Sequence, residues 1–216
     1  MEKTEIVIFD LDGTLTDTLE DLKNSVNFAL KSFGFPERTL DEVRSFVGNG
    51  VKNLIFRSVP CGTDEKTAED CLAVFREHYK NNSLVKTKPY DGIVPMLNEL
   101  KNLGVKTAVV TNKMNEAAQD IVRIFFDGLI EVTVGQIDGM AQKPQPDGIE
   151  FVLQKLGVSK SKAVYVGDSE VDCITAKNAC IPCVGVTWGF RDKSVLLENS
   201  ADYIVDIPKQ ILDCIK

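Results

Sequence analysis

The sequence predicts an α/β protein built on a doubly wound parallel sheet, with an α-helical insertion after the first strand. Three observations predict it. Compact β-rich apolar runs recur at Ile6 to Phe9, Val105 to Val110, Ile130 to Val134, Ala163 to Val166, Cys183 to Thr187 and Tyr203 to Val205. They are continuous rather than alternating, which suits strands covered by helices on both faces, and after residue 92 they alternate with helix-like stretches in the rhythm of right-handed crossovers. Between the first and second runs lie about 70 residues of helical patterning, too long for an ordinary crossover.

Taken in order, the first strand, Ile6 to Phe9, runs directly into acidic residues. From Thr18 to about Lys86 the pattern is helical: Leu22, Val26, Ala29, Leu30 and Phe33 make one stripe, Val43, Phe46 and Val47 a second, and Leu54, Ile55, Leu72, Phe75 and Tyr79 continue the spacing. Between Gly92 and Gly104, Val94, Leu97, Leu100 and Leu103 form the stripe of the next helix, with Asp91 ahead of it and Gly104 as its stop. The expected organisation is a Rossmann-like core of residues 1–16 and 87–216 carrying a helical domain of residues 17–86. A chain of 216 residues is long enough for a core domain of about 150 residues plus such an insertion.

The charge balance, 25 Lys+Arg against 32 Asp+Glu, opposes non-specific nucleic-acid binding, which depends on clustered cations. The longest apolar runs fall far short of the roughly 18 to 20 residues of a membrane helix. The amino terminus, Met1-Glu2-Lys3-Thr4-Glu5, is charged and has no apolar leader segment, so a cytoplasmic location is expected. Six cysteines in a chain this long read as reduced thiols rather than a disulfide framework. Cys180 and Cys183 form a C-x-x-C, but with His78 the lone histidine and no second such pair, a zinc site has little support. A redox pair would place the first cysteine at a helix amino terminus, whereas Cys183-Val184-Gly185-Val186 starts a strand; packing residues are the simpler reading.

The residues able to do chemistry follow the strands. Ile8-Phe9-Asp10-Leu11-Asp12-Gly13-Thr14 places two carboxylates at the carboxyl end of a central strand, where open α/β sheets bind ligands. Two residues of extended chain span about 6.5 Å and keep side chains on one face, so Asp10 and Asp12 can address one small group. In that role Asp10 attacks phosphorus, Asp12 moves the proton, and Gly13 and Thr14 turn the chain and aim backbone N–H groups at phosphate oxygens. The competing reading is an acidic turn capping the helix after Thr16 or Asp17.

Val110-Thr111-Asn112-Lys113 sets a hydroxyl and an amide after the second run, although Thr-Asn there also suits a turn. Lys143-Pro144-Gln145-Pro146 fixes a lysine at a rigid turn before a helix, or else a solvated one. Val166-Gly167-Asp168-Ser169-Glu170-Val171-Asp172 ends another buried strand in acids, with Asp172 one helical turn beyond Asp168; helix capping is the alternative. Asp168 and Asp172, with Asp10 and the Asp12 carbonyl, give oxygen ligands suited to Mg²⁺ beside a phosphate. Independent caps have no reason to follow successive strands of one sheet.

On these motifs the sequence resembles the haloacid dehalogenase superfamily of aspartate-nucleophile phosphatases. Asp10-Leu11-Asp12-Gly13-Thr14 matches its first motif, Thr111 the second, Lys143 the third, and Gly167-Asp168 with Asp172 the fourth. A helical cap directly after the first motif resembles the phosphoglycolate phosphatase branch, as do Val47-Gly48-Asn49-Gly50-Val51 and Val186-Thr187-Trp188-Gly189-Phe190-Arg191. Dehalogenase relatives lack an acid at the Asp12 position, so the resemblance implies phosphoryl transfer. It implies a Mg²⁺-dependent phosphatase of a small phosphorylated metabolite, acting as monomer or homodimer. Asp10 is then the nucleophile and Asp12 the acid/base. Thr111, Asn112 and Lys143 bind oxygens, Asp168 and Asp172 hold the ion, and Asn49 and Gly50 face the substrate. Lys113, Lys52 and Arg191 are further sources of local positive potential in a chain of net charge -7. Cys180 stands where relatives place a glycine, so a different turn is expected there.

Rival expectations are a sugar-phosphate mutase or a pyrophosphatase of the same superfamily, and a non-catalytic phosphometabolite-binding module. A P-loop kinase is excluded by the lack of G-x-x-x-x-G-K-[ST].

Overall fold

The computed structural model describes residues 3–215, so Met1, Glu2 and Lys216 of the reading above lie outside the described residues. In chain order the elements begin β1 (Ile6–Phe9), β2 (Thr16–Asp17), α1 (Leu19–Ser32), α2 (Leu40–Phe46), α3 (Gly50–Ser58), α4 (Glu65–Asn82), β3 (Lys88–Pro89), α5 (Ile93–Asn102) and β4 (Lys106–Met114). They continue α6 (Asn115–Phe125), β5 (Val132–Gln136), α7 (Asp147–Leu156), β6 (Ala163–Gly167), α8 (Glu170–Ala179), β7 (Cys183–Val186), α9 (Lys193–Glu198), β8 (Tyr203–Val205) and α10 (Ile211–Cys214). Two compact units result: Met1–Thr16 with Pro89–Lys216, and Asp17–Lys88.

The first unit is the α/β core. Its sheet has six strands in the order β5-β4-β1-β6-β7-β8, each pair parallel. The chain winds outward from β1 through β4 to β5, then returns to β6 on the other side of β1. That reversal makes the β1–β6 boundary the switch point where such sheets open a crevice at their carboxyl ends. All four residues of β1 and all five of β6 are buried, which explains why these runs are apolar without alternation. Phe9 is level with both Val109 and Val166; β1 ends there and β6 one residue later, while β4 runs on to Met114.

Two helix readings need adjustment. The apolar face of α5 is Ile93, Met96, Leu97 and Leu100, while Leu103 is 55% exposed. The helix starts at Ile93 directly after Gly92, which is in a left-handed turn, and its buried face takes in Ile93 and Met96 in place of Val94 and Leu103. Cys180 takes up the left-handed conformation itself, at φ 59, and its N–H reaches the Ala176 and Lys177 carbonyls. The turn expected to differ is therefore the ordinary helix ending, made by cysteine instead of glycine. Cys183 faces Cys173, Sγ to Sγ 3.8 Å, rather than Cys180, and the six cysteines are free.

The second unit is four helices. α1 packs on α4, α2 and α3 and buries Leu22, Val26, Ala29 and Leu30 of the stripe read from the sequence, while Phe33 lies past its end and is half-buried. A Thr39–Glu42 capping box starts α2, and Asp64 caps α4 through the Thr67 N–H. Asp21 is buried and accepts the backbone N–H groups of Lys86 and Thr87 and the Thr87 hydroxyl, fixing the end of the unit to its first helix. No helix among the described residues is long and apolar enough to cross a membrane.

Candidate active site

Asp10 just after β1, Thr111 on the part of β4 that continues past that level, and Asp168 just after β6 come to one place. The Asp10 N–H donates to the Val166 carbonyl, which ties the residue after β1 to β6. Its carboxylate accepts the Leu11 N–H at 2.7 Å and the Lys143 ammonium at 2.9 Å, and Thr111 adds a side-chain hydrogen bond. Lys143 also lies 2.7 Å from Asp172, with its side chain only 3% exposed. Oxygens of Asp10, Asp168 and Asp172 lie within 4.8 Å of one another. Residues 10, 143, 168 and 172 of the sequence reading thus form one buried cluster.

Asp172 shows that capping and clustering are compatible. It sits at the third position of α8 and accepts the Ser169 N–H and hydroxyl through Oδ2, leaving Oδ1 for Lys143. Asp168 is fixed by the Thr14 hydroxyl at 3.1 Å and the Phe190 N–H at 2.7 Å. A β-carbon on Gly13 would stand 2.4 Å from Asp168 Oδ2, one on Gly189 2.3 Å from Asp168 Cβ, and one on Gly167 2.2 Å from Asp172 Cγ. Backbone therefore closes around both acids in a cradle that only glycine permits. Gly13, at φ 85, also needs glycine for its turn.

The electrostatics follow from crowding. Burial pushes Asp10 up to about 6, with Asp172 adding to the rise and Lys143 opposing it. Burial, then Asp172 and Asp10, push Asp168 up to about 8. Burial works against the Lys143 charge, but the two aspartates outweigh it and hold the ammonium above the ordinary lysine range. An enclosure of three carboxylates around one ammonium favours added positive charge, and its donors are all oxygen. That is the donor set of a hard divalent cation such as Mg²⁺, so the residues present fit one.

Several sequence-predicted residues sit otherwise. The N–H groups of Gly13 and Thr14 are used by the turn itself, donating to the Thr16 and Leu11 carbonyls, because the positive φ at Gly13 folds the chain back on itself. It is the Thr14 hydroxyl, not these N–H groups, that bonds Asp168. Asn112 turns its amide to the Lys143 backbone, donating to the carbonyl and accepting the N–H, so it positions the lysine. Asp12 stands outside the carboxylate cluster, its oxygens 3.0 and 3.1 Å from the Lys113 ammonium. Arg191 pairs with Glu170. Asn49 and Gly50 open α3 in the helical unit, where Lys52 pairs with Glu69.

Sequence reasoning missed Tyr165, whose buried hydroxyl receives the Lys143 ammonium at 3.1 Å and stands 2.9 Å from the Val110 carbonyl. As a central-strand aromatic it carried no signal beyond packing. Trp188 was likewise unassigned; its indole N–H donates to the Thr14 carbonyl.

Comparison with known proteins agrees with this geometry. Residues 7–186 match the haloacid dehalogenase-like hydrolase family. Phosphoglycolate phosphatase 1 of Pseudomonas aeruginosa is 32% identical over 215 residues, 97% of this chain and 79% of that protein. The phosphoglycolate phosphatase of Aquifex aeolicus is 35% identical over 186 residues, 86% of this chain and 85% of that one. A crystal structure of a Lactobacillus delbrueckii subsp. bulgaricus protein has a TM-score of 0.93 and 32% identity, covering 99% of this chain and 98% of its own. Central strands β1 and β6 that lead into aspartates, a lysine between Asp10 and Asp172 and a match over most of the chain have one reading: the chain belongs to the haloacid dehalogenase-like hydrolase family.

Proposed function

We propose that the protein is a Mg²⁺-dependent phosphomonoesterase of a small anionic metabolite of the phosphoglycolate type, working through an aspartyl phosphate at Asp10. The observation that carries this is the cluster itself: a carboxylate at the switch point held between a buried ammonium and two further acids. Asp10 Oδ forms the bond to phosphorus as the ester oxygen leaves, taking its proton from Asp12. Water then attacks the acyl phosphate, gives its proton to Asp12 and releases inorganic phosphate. Thr111 and Lys143 supply donors to the transferring oxygens, and Asn112 keeps Lys143 in place. Asp10, Asp168 and Asp172, with the Asp12 carbonyl, would hold the ion, which supplies charge neutralisation for the phosphoryl oxygens.

Phosphate release should be measured across phosphoglycolate, pyrophosphate, hexose phosphates and nucleotides, each with Mg²⁺ and with EDTA. Magnesium-dependent release with one strong preference is expected. Isomerised hexose phosphate without release would identify a mutase, and silence throughout would leave a binding module. The resemblance assigns substrate choice to Asn49 and Gly50, so Asn49→Ala should raise KM for the preferred substrate while altering kcat little.

Stability should report the metal as well. Asp10 and Asp168 hold protons more tightly in the folded protein than a carboxyl with the ordinary value of 3.8. The folded form therefore carries more protons than the unfolded chain between roughly pH 4 and 8, and the metal-free protein loses stability as pH rises through that window. Mg²⁺ binds the deprotonated cluster, so its stabilising effect should grow across the same range. Thermal melts at about pH 5 and pH 8, with EDTA and with excess Mg²⁺, check this. A metal-induced rise in Tm that is equal at both would remove these acids as the metal site.

A further inference from the structure

The phosphatase reading leaves unexplained how Asp12, in the turn beyond β1, is kept in one orientation. Its partner is Lys113, which lies where the register between β4 and β5 shifts between Val110 and Met114. Such a shift re-aims side chains near the end of a strand. The Lys113 side chain is 2% exposed and that of Asp12 14%, so the lysine is walled in while the acid keeps an open edge. Both Asp12 oxygens reach the ammonium, at 3.0 and 3.1 Å, which fixes the plane of the carboxylate as a single contact would not.

We infer that Lys113 is the positioning residue for proton transfer: it aims Asp12 at the leaving oxygen, and its effect on the rate scales with how much that oxygen needs a proton. This rests on the phosphatase reading. In the first step the Asp10 oxygen bonds to phosphorus, the phosphorus–ester oxygen bond breaks, and the departing alkoxide takes the Asp12 proton. A nitrophenolate departs as a stable anion and needs almost none. A misaimed acid therefore slows alkyl esters and spares aryl ones. A lysine that bound the transferring phosphoryl group would serve both equally, since the two share that group.

The test compares phosphoglycolate with p-nitrophenyl phosphate in saturating Mg²⁺. Lys113→Met should lower kcat for phosphoglycolate by about 30-fold or more, a large part of the roughly 10²- to 10⁴-fold that general acid catalysis supplies, and for the aryl ester by about three-fold or less. Asp12→Asn should show the same pattern, and adding Lys113→Met to it should cost less than about two-fold further, because residues that act as a unit are not additive. The double variant leaves no carboxylate unpaired, so it decides the question even where Lys113→Met alone folds poorly. Equal losses on both esters, a rise in KM without loss of kcat, or full additivity in the Asp12→Asn background would overturn the assignment. Failure of the unaltered protein to release phosphate from either ester would instead remove the phosphatase reading beneath it.

Discussion

Asp10→Asn is expected to lower phosphate release by at least about 10³-fold, to the background of an enzyme without its nucleophile. The substitution removes the attacking oxygen and little else. An amide oxygen can still accept the Leu11 N–H, now 2.7 Å from Oδ1, and Lys143 keeps its 2.7 Å contact with Asp172. The acid being removed is one that burial pushes up to about 6, so its charge is a cost to the fold rather than a support. Tm in EDTA should hold or rise. Phosphate release and a thermal melt on the same preparation separate the two effects. Retention of more than a few per cent of activity in a folded protein would sink the nucleophile assignment.

Much of the fold and of the acidic cluster is legible in the sequence. Strands buried on both faces write themselves as continuous apolar runs, and the first polar residue after each run marks the crevice, so Asp10, Thr111 and Asp168 are legible from position alone. What escaped was pairing across the sequence. Asn112 looks like a phosphate donor in the chain; that its amide also bonds the Lys143 backbone, 31 residues away, no local pattern shows. Lys113 reads in the chain as a source of local positive potential; its pairing with Asp12, 101 residues distant, occurs where the β4–β5 register shifts, which leaves no mark in hydrophobicity. On α5, Leu97 and Leu100 lie on the buried face as their spacing suggests, but Ile93 and Met96 complete it where Val94 and Leu103 are equally apolar, a choice hydrophobicity alone does not make. Gly189 and Phe190 belong to Asp168 through backbone proximity and one N–H, features carried by the path of the chain and not by residue type.

Lys143→Met should be the most damaging single change to stability, and its rescue pattern is more informative than its size. Methionine retains the length and apolar stem of the lysine, so packing in the 97% buried position is nearly kept. The ammonium alone is lost, and with it the partner of both Asp10 and Asp172. Breaking a buried ion pair by removing one member costs about 3–5 kcal/mol, because the remaining charge is left uncompensated. For a chain of this size that is a fall in Tm of roughly 6–20 °C in EDTA near neutral pH. Two conditions should narrow the gap. At about pH 5 the carboxylates take up protons, since burial already raises Asp10 and Asp168, and less charge is left to repel. Excess Mg²⁺ supplies a replacement cation to the same oxygens. Activity should stay at least about 10²-fold down even then, because a cation that restores the fold does not restore the donor aimed at the transferring phosphoryl group. Were neither acid nor Mg²⁺ to narrow the gap, the lysine would be stabilising through its stem and the Tyr165 contact, and the cluster would not be the shared electrostatic unit on which the proposed chemistry depends.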